Sequence, residues 1–284
     1  SNTKSITLTD PIAIVPNIST VDVKCFGDAT GSATANPING ANPYTYTWST
    51  GSANTTATEG GLVKGNYNVT ITDNNGCFIV ESFSIDQPLA ALSVTLNKTD
   101  VDCFGSSTGS ITTVVNGGTS VPNYSFLWNN GSTAQNRSNL SAGLYTVTVT
   151  DGNNCQKVES ITILPGIEIL SDTTVTNVSC NGGNDGEVYV TASGGSGVFV
   201  NYNWSNGGNS DTIKNLTVGK YFVTITDSKA CTKVDSAVVS QPNVLIPTFD
   251  AQTNPSCNGS SDGSITASAS GGVTPYTFNW SNGV

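Results

Sequence analysis

Residues 143–151 have the sequence Gly-Leu-Tyr-Thr-Val-Thr-Val-Thr-Asp, and close copies of this stretch occur at residues 65–73 and 219–227. In the copies, Tyr, Val and a second Val or Ile alternate with residues that are mostly Thr or Asn. Alternation with a period of two predicts a β-strand with one buried and one solvent-exposed face. Three copies of one strand in one chain indicate that a whole domain is repeated.

Landmark residues extend this repeat over almost the entire chain. Four cysteines that precede a glycine turn are 78, 77 and 77 residues apart, and four prolines are 77 residues apart each time. One tryptophan also marks every copy. Such a fixed period is the signature of a tandem array. The landmarks are Cys25, Cys103, Cys180 and Cys257, then Pro11, Pro88, Pro165 and Pro242, and finally Trp48, Trp128, Trp204 and Trp280.

The period divides the chain into three complete repeats with a partial repeat at each end. Ser5–Pro11 aligns with Ser82–Pro88, so the first residues match the end of a repeat. We expect from this that the sequence is a window from a longer array. The predicted boundaries are 1–11 for the end of a preceding repeat, 12–88 for repeat 1, 89–165 for repeat 2, 166–242 for repeat 3, and 243–284 for an incomplete repeat 4.

Strand and turn signals within a repeat predict an all-β fold. Short alternating segments are separated by turn residues about every 8 to 12 positions, and no segment has the periodicity of a helix. A Leu-x-x-Gly-x-Tyr motif overlaps the start of the strand quoted above in each complete repeat, and it is typical of the corner at which immunoglobulin-like sandwiches cross between sheets. We therefore predict tandem immunoglobulin-like β-sandwiches of about 77 residues in a linear array. The predicted core aromatics are Trp48, Trp128, Trp204, Trp280, Tyr67, Tyr145 and Tyr221.

Composition and missing motifs argue against several functions. Charged residues make up only 11% of the chain and the net charge is -10, whereas nucleic-acid binding depends on clustered Lys and Arg. The chain has no histidine, no Gly-rich phosphate loop and no Cys-x-x-Cys motif, so we predict that it is not an enzyme. No run of 18 apolar residues occurs that would predict a membrane span.

Regularly spaced cysteines predict disulfides and an oxidising compartment. Three pairings are open. The first joins cysteines of one repeat, namely Cys25 with Cys77, Cys103 with Cys155, and Cys180 with Cys231, and leaves Cys257 over. The second joins successive repeats, namely Cys25 with Cys155 and Cys103 with Cys231. The third joins sequence neighbours such as Cys77 with Cys103.

The within-repeat pairing has an energetic advantage and a geometric difficulty. Closing a loop of about 52 residues stabilises the folded state by roughly 4 kcal/mol on the loop-entropy model. In an immunoglobulin-like sandwich, however, the first turn and the last hairpin lie at opposite poles, beyond the roughly 7 Å between Cα atoms that a disulfide tolerates. This pairing therefore requires one strand fewer between the Trp strand and the Tyr strand.

Two acidic turns contain residue types that could bind calcium. Residues 73–76 are Asp-Asn-Asn-Gly and residues 151–154 are Asp-Gly-Asn-Asn, which offer carboxylate and amide oxygens. Ordinary hairpin turns require the same residue types, and we favour that interpretation. We therefore predict no metal site and no cofactor, with calcium as the alternative.

At this point the motifs resemble a known family. Cys-Phe-Gly-Asp-Ala-Thr-Gly-Ser at residues 25–32, Pro-Tyr-Thr-Tyr-Thr-Trp-Ser at 43–49, and Gly-Asn-Tyr-Asn-Val-Thr-Ile-Thr-Asp-Asn-Asn-Gly-Cys at 65–77 are similar to the SprB repeat of Bacteroidota surface adhesins. The Trp and Tyr strands also show a weaker similarity to PKD domains, so the predicted sandwich is also PKD-like. The resemblance implies a very large cell-surface protein, exported by the type IX system, of the kind that acts in gliding motility.

The resemblance also implies modification sites and partners. Three short Asp-Ser/Thr-apolar segments look like the O-glycosylation sites of exported Bacteroidota proteins. The implied partners are neighbouring repeats, a surface polysaccharide or solid substratum, and the outer-membrane motility or secretion machinery, and no nucleic acid is among them. The candidate O-glycosylation residues are Thr173, Thr212 and Ser236.

These observations lead to one functional prediction with two alternatives. We predict a structural stalk segment of a secreted cell-surface adhesin, outside the cell and associated with the outer membrane. One alternative is a carbohydrate-binding array of a secreted matrix or polysaccharide-processing protein, which the aromatic-rich Trp strands suggest. A self-associating extracellular filament, held by pairing of exposed strand edges, is the other.

Overall fold

The computed structural model describes residues 3–52 and 55–281. Within these ranges the chain forms 20 β-strands and no helix, which confirms the predicted all-β class. Accordingly, none of the described residues belongs to a helix that could cross a bilayer. Residues 1–2 and 282–284, which the predicted boundaries assign to the preceding repeat and to repeat 4, lie outside the described residues.

The chain divides into two compact units. Unit 1 consists of residues 1–99 and 110–163, and unit 2 consists of residues 100–109 and 164–284. Unit 1 thus holds repeat 1 and most of repeat 2. Unit 2 holds repeat 3, the described part of repeat 4 and the loop 100–109 of repeat 2. The units follow packing and not the sequence period, so the repeat boundaries stay a prediction.

Repeat 1 contains six strands, namely β1 (Ile18–Val21), β2 (Gly31–Ala35), β3 (Thr45–Trp48), β4 (Thr58–Leu62), β5 (Gly65–Thr72) and β6 (Phe78–Ile85). They form two three-stranded antiparallel sheets with the orders β1-β2-β4 and β3-β5-β6. The strand between the Trp strand and the Tyr strand, β4, therefore pairs in the first sheet, and the chain crosses between sheets on either side of it.

Repeats 2 and 3 have the same plan. Repeat 2 contains β7 (Ser93–Thr99), β8 (Gly109–Asn116), β9 (Ser125–Trp128), β10 (Arg137–Leu140), β11 (Gly143–Thr150) and β12 (Gln156–Ile163). Repeat 3 contains β13 (Ile169–Thr176), β14 (Gly186–Gly194), β15 (Phe199–Trp204), β16 (Thr212–Leu216), β17 (Gly219–Asp227) and β18 (Thr232–Val239). Their sheets are β7-β8-β10 with β9-β11-β12, and β13-β14-β16 with β15-β17-β18. In repeat 4, β19 (Ile246–Thr253) and β20 (Ser264–Ser270) pair antiparallel.

The predicted alternation builds the core of each sandwich. In β17, Val223 and Ile225 are fully buried, and Trp204 of the neighbouring β15 lies opposite Val223 in the ladder. Buried residues of both sheets of repeat 3 join in one cluster, as expected for a two-layer sandwich. The cluster consists of Ile169, Val178, Val188, Val190, Trp204, Ile213, Leu216, Val223, Ile225, Cys231, Ala237 and Val239.

The tryptophans of the three complete repeats are buried, and each indole N–H is satisfied. Trp48, Trp128 and Trp204 are 2–3% exposed. Their Nε1 atoms donate to the carbonyls of Thr56, Ala134 and Ser210 at 3.1, 2.7 and 2.9 Å. Trp280 of repeat 4 is only half-buried. The three buried indoles act as packing groups and are closed to a ligand.

A tyrosine corner stands before the penultimate strand of each complete repeat. Tyr221 is half-buried, and its hydroxyl donates to the carbonyl of Thr217, four residues upstream, at 3.0 Å. This is the bond that defines the corner in immunoglobulin-like sandwiches. Tyr67 and Tyr145 make the same bond with Val63 and Ser141, also at 3.0 Å.

Removing one corner hydroxyl tests its contribution. We expect Tyr221→Phe to lower the free energy of unfolding by about 1 kcal/mol, because the Thr217 carbonyl loses its partner while the ring stays packed. Tyr189→Phe is the matched control, because the Tyr189 side chain is exposed and its hydroxyl makes no hydrogen bond to another described residue. Urea titration of both variants measures the difference. Equal losses in the two variants would show that the corner bond contributes nothing.

Candidate functional site: disulfide contacts between successive repeats

The cysteine turns form the first half of the site, and all four have one conformation. In repeat 1 the Asp28 amide donates to the Cys25 carbonyl at 3.1 Å, and Gly27 between them has φ of 82°. That backbone angle lies in the left-handed region that glycine adopts without strain. The Lys24 amide then donates to Thr30 Oγ1 at 3.0 Å and closes the loop. The turn is therefore preformed by its own residues.

The hairpin cysteines form the second half, and a buried aspartate positions each of them. Asp151 Oδ1 accepts hydrogen bonds from the amides of Asn153 and Cys155 at 2.9 and 2.8 Å. Its Oδ2 accepts from the Thr119 amide at 2.9 Å, which connects the hairpin to the loop that follows β8. Asp73 and Asp227 do the same in repeats 1 and 3. The role of these carboxylates as buried hairpin clamps was not predicted.

Hydrogen bonding shifts the acidity of two clamp carboxylates. Bonds from backbone amides, that of Ala41 foremost, hold the pKa of Asp73 below its usual range. Burial alone raises the pKa of Asp227, but the hydrogen bonds from Ser196, Cys231 and Lys229 outweigh burial, so the net pKa is also lowered. Both carboxylates therefore stabilise the fold in the ionised form.

A dependence of stability on pH follows from these shifts. A carboxylate with a depressed folded-state pKa contributes stability above its unfolded pKa of about 4, and this stability is lost as the pH falls through the folded pKa. We expect the melting temperature to drop steeply below about pH 4. Asp227→Asn should melt lower at neutral pH and should depend less on acid than the parent. Melting curves from about pH 7 to about pH 2 measure this, and a parent protein with a flat profile would contradict the clamp role.

Two disulfides join the halves, and both connect successive repeats. Cys25 of the turn in repeat 1 is bonded to Cys155 of the hairpin in repeat 2, with Cα atoms 5.7 Å apart. Cys103 of the turn in repeat 2 is bonded to Cys231 of the hairpin in repeat 3, with Cα atoms 5.4 Å apart. Each bond lies inside one compact unit, the first in unit 1 and the second in unit 2.

Of the three pairings that the sequence left open, this is the cross-repeat one. The within-repeat pairs Cys25–Cys77 and Cys103–Cys155 are wrong, because Cys25 and Cys155 are bonded to each other. The pair Cys180–Cys231 is wrong too, because Cys231 is bonded to Cys103. The neighbour pair Cys77–Cys103 is wrong as well, because Cys103 is bonded to Cys231. The physical reason is that the turn and the last hairpin of one repeat lie at opposite poles: β4 ends beside the turn, with Leu62 opposite Gly31, and β5 then runs away from that pole to the hairpin. Cys77, Cys180 and Cys257 are exposed free thiols.

Polar contacts accompany each bond. In unit 1 the side-chain amide of Asn153 donates to the Lys24 carbonyl at 2.9 Å. In unit 2 the ammonium of Lys229, at the corresponding hairpin position, lies 3.8 Å from the Asp102 carboxylate. Both of those side chains are more than half exposed, so this ion pair contributes little free energy. The residue before the turn cysteine, Lys24 in unit 1 and Asp102 in unit 2, therefore contacts the tip of the hairpin at both disulfides.

Gly166 is a site residue that the sequence analysis missed. A Cβ atom at this position would lie 2.6 Å from the Cys103 carbonyl carbon and 2.7 Å from the Phe104 amide nitrogen. Only glycine lets the backbone of repeat 3 approach the turn this closely. The signal in the sequence is faint, because the residue follows one of the periodic prolines, Pro165, and could equally belong to a linker.

The remaining candidate residues lie apart from the disulfides. Thr173, Thr212 and Ser236 are half-buried on β13, β16 and β18. Their O-glycosylation stays a prediction. Among the described residues, no group of three or more His, Cys, Asp or Glu side chains is arranged to hold a metal. The carboxylate oxygens of the acidic turns accept backbone hydrogen bonds, as the hairpin interpretation expects.

Comparison with known families assigns the repeat. The SprB repeat pattern matches residues 17–53, 95–133, 173–209 and 250–284, which together exceed half of the chain. The chain belongs to the SprB repeat family. Each matched segment carries the turn cysteine and the tryptophan of one SprB repeat, whereas the hairpin cysteines lie outside the matched segments. SprB repeats are extracellular surface-type domains, and disulfides fit that location.

Several solved structures are similar to parts of this array of SprB repeats. Three N-terminal domains of the outer capsid protein Hoc of bacteriophage RB49 align with a TM-score of 0.36 and 16% identity over 81% of this chain and 99% of that one. Domains 1–6 of the surface layer protein SbsC align with a TM-score of 0.25 and 16% identity over 92% and 49%. SGBP-B of Bacteroides ovatus aligns with a TM-score of 0.19 and 13% identity over 89% and 76%. No curated protein matches the chain.

Proposed function

We propose that this chain is a stalk segment of a large secreted adhesin on the cell surface, exported by the type IX system and acting in gliding motility. Membership of the SprB repeat family supports the extracellular role. The composition supports it as well, since a surface rich in Ser, Thr and Asn with few charges lacks the basic patches that bind nucleic acid.

The observation that carries the proposal is the cross-repeat disulfide. Successive repeats are connected twice, once by the peptide chain and once by a sulfur bridge between turn and hairpin. A domain of about 77 residues buries only about 60% of its unfolded surface and is marginally stable alone. A second covalent link to the neighbour stabilises it against a pulling force, which is what a stalk requires.

The proposed partners follow from this role. Neighbouring repeats are the direct ones. Other parts of the adhesin would contact surface polysaccharide or a solid substratum, and the outer-membrane motility or secretion machinery would hold it at the cell. We propose no cofactor, and expect that calcium leaves the melting temperature unchanged, because the Asp73 and Asp151 carboxylates already accept amide hydrogens.

Carbohydrate binding by the Trp strands is the weaker candidate. It requires indole faces open to a sugar, and Trp48, Trp128 and Trp204 are buried. Trp280, next to Phe249 at a ring-centroid distance of 6.4 Å, is half-buried, so a sugar could reach its indole. Among the described tryptophans, this limits sugar stacking to repeat 4.

Beads carrying the purified chain test the stalk against the binding module. The stalk predicts that coated beads adhere to glass and to polysaccharide films no better than beads coated with an inert protein. It also predicts that soluble saccharides leave tryptophan fluorescence unchanged. Retention on a polysaccharide film, together with saccharide-dependent quenching that Trp280→Ala abolishes, would replace the stalk with the carbohydrate-binding array.

A further inference from the structure

The contact between repeat 1 and repeat 2 contains an open cleft beside the Cys25–Cys155 disulfide. The cleft measures about 430 Å³, which lies within the range of about 300 to 1,000 Å³ that small-molecule sites occupy. Both repeats contribute to its wall, and all of the lining residues belong to unit 1. A junction between two domains is a common place for a ligand site. The lining residues include Phe26 and Asp28 from repeat 1, and Leu92, Asn154 and Gln156 from repeat 2.

Three polar side chains of this cleft have no partner in the protein. The Asp28 carboxylate and the side-chain amides of Asn154 and Gln156 are exposed and make no hydrogen bond or ion pair with another described residue. The Asp151 carboxylate also lines the cleft, but it is buried and both of its oxygens accept backbone amides. Among the lining residues, Asp28 therefore supplies the charge that is available to a ligand.

The chemistry of the wall fits an ammonium group at the end of an alkyl chain. A carboxylate supplies the opposite charge, and amide oxygens accept hydrogen bonds from an ammonium, which is a donor only. The ring of Phe26 is 46% exposed, and an aromatic face attracts cations. Leu92 adds an aliphatic surface, on which the methylene groups of such a chain can pack. All of these groups lie on the wall of one cleft.

The corresponding cleft of unit 2 is smaller and is lined by an ammonium group of the chain itself. It measures about 130 Å³. Lys233 lines it, and the Nζ atom of Lys233 lies 3.2 Å from Oε1 of Glu168. In unit 1 the corresponding lysine, Lys157, pairs with Glu159 at 3.4 Å instead, and the position of Glu168 is taken by Ala91. The ammonium group that lines the cleft of unit 2 is thus engaged elsewhere in unit 1.

The free polar groups of the unit 1 cleft are specific to this junction. Each is replaced in unit 2 by a shorter side chain, and none of the replacements carries a charge. Unit 1 therefore has a free carboxylate in its turn and no ammonium for it, whereas unit 2 has the ammonium and lacks that carboxylate. The pairs of corresponding residues are Asp28 and Ser106, Asn154 and Ala230, and Gln156 and Thr232.

We propose that the cleft of unit 1 binds an alkylammonium group from outside the chain, at the end of a polyamine or of a lysine side chain. The Asp28 carboxylate pairs with the ammonium, and the amide oxygens of Asn154 and Gln156 accept its hydrogens. Phe26 and Leu92 contact the methylene groups. The net charge of -10 attracts such cations to the protein. The site goes beyond the proposed stalk role, which assigns no ligand to this segment.

Titration of the full chain, with both disulfides formed, tests the proposal. Isotope-labelled protein is titrated with putrescine, with acetyl-lysine amide and with uncharged butanediol, and the amide resonances are followed by NMR. Low ionic strength is used because salt screens exposed ion pairs. We expect saturable shifts at Phe26, Asn154 and Gln156 with both amines and none with butanediol. Tighter binding of putrescine identifies a polyamine as the ligand, and tighter binding of acetyl-lysine amide identifies a protein lysine.

Two outcomes of the titration would overturn the proposal. One is the absence of saturable shifts at these three residues with both amines. The other is an equal response to butanediol, which would show that the cleft takes up small molecules without regard to charge.

A pair of matched variants separates the site from the general attraction of an acidic protein. Asp28→Asn should weaken the binding of both amines about 5-fold, the upper end of what an exposed ion pair contributes. Asp172→Asn removes the same charge from an exposed position on β13 of unit 2 and should bind as the parent does. Equal weakening in the two variants, or unchanged binding in Asp28→Asn, would refute the site. The bead assay is independent of this result, because it measures retention on surfaces and not the occupancy of the cleft.

Discussion

Stretching the oxidised protein from its two ends is expected to lengthen the part between Cys25 and Cys231 by no more than an unfolded chain of 52 residues, although 206 residues separate these cysteines. Force entering at Cys25 crosses to Cys155 through the first disulfide. It then runs along the chain back to Cys103 and leaves through the second disulfide at Cys231. Every other route between the same anchors contains more residues, so this route becomes taut first.

Single-molecule force spectroscopy with and without reductant measures the effect. Reduction makes all 206 residues extensible, and at about 3.4 Å per residue the contour length should grow by roughly 500 Å. Cys77→Ser, which changes a free thiol, should leave both lengths as they are in the parent. Identical contour lengths in oxidised and reduced protein would show that the bridges carry no load.

Removal of the Cys103–Cys231 bond is expected to have the largest effect on thermodynamic stability. The bond closes a loop of 128 residues, for which the chain-entropy model gives about 5 kcal/mol. That amount is comparable with the entire free energy of unfolding of many small domains. The double variant Cys103→Ser with Cys231→Ser should therefore unfold at a clearly lower denaturant concentration than the parent.

Two controls frame this measurement. Cys180→Ser alters an exposed free cysteine and should stay within about 0.5 kcal/mol of the parent. Reductant removes both disulfides from the parent and the remaining Cys25–Cys155 bond from the double variant, so the two proteins should unfold at nearly the same denaturant concentration when both are reduced. A double variant as stable as the parent would mean that the unfolded chain gains no freedom when the bond is lost.

Much of the sandwich could be predicted from periodicity because the strands with the largest buried residues are also the most regular. The Tyr145 strand and its two copies alternate over eight or nine residues, and they form β5, β11 and β17. The strand before the tyrosine corner has a much weaker signal in the sequence. In β10, only Leu140 is fully buried and the other three residues are polar, so its sequence resembles a loop.

The pairing of the cysteines could not be predicted, for a geometric reason. Equal spacing makes a partner 52 residues away and a partner 130 residues away equally regular in sequence. The choice depends on which pole of the sandwich each cysteine occupies, and the spacing of the cysteines along the chain does not encode that. The role of the clamp carboxylates could not be predicted either, because the sequence of a hairpin does not show whether its Asp side chain is buried or exposed. These carboxylates belong to Asp73, Asp151 and Asp227.

The rule that a turn cysteine bonds to the hairpin of the following repeat has an evolutionary consequence. Recombination that duplicates or deletes one whole copy leaves every interior turn facing some hairpin, so the number of copies in a gene can drift without orphaning sulfur inside the array. The copies, however, must remain interchangeable where they meet. Selection should therefore homogenise the turn and hairpin faces among copies while the remaining surface diverges freely.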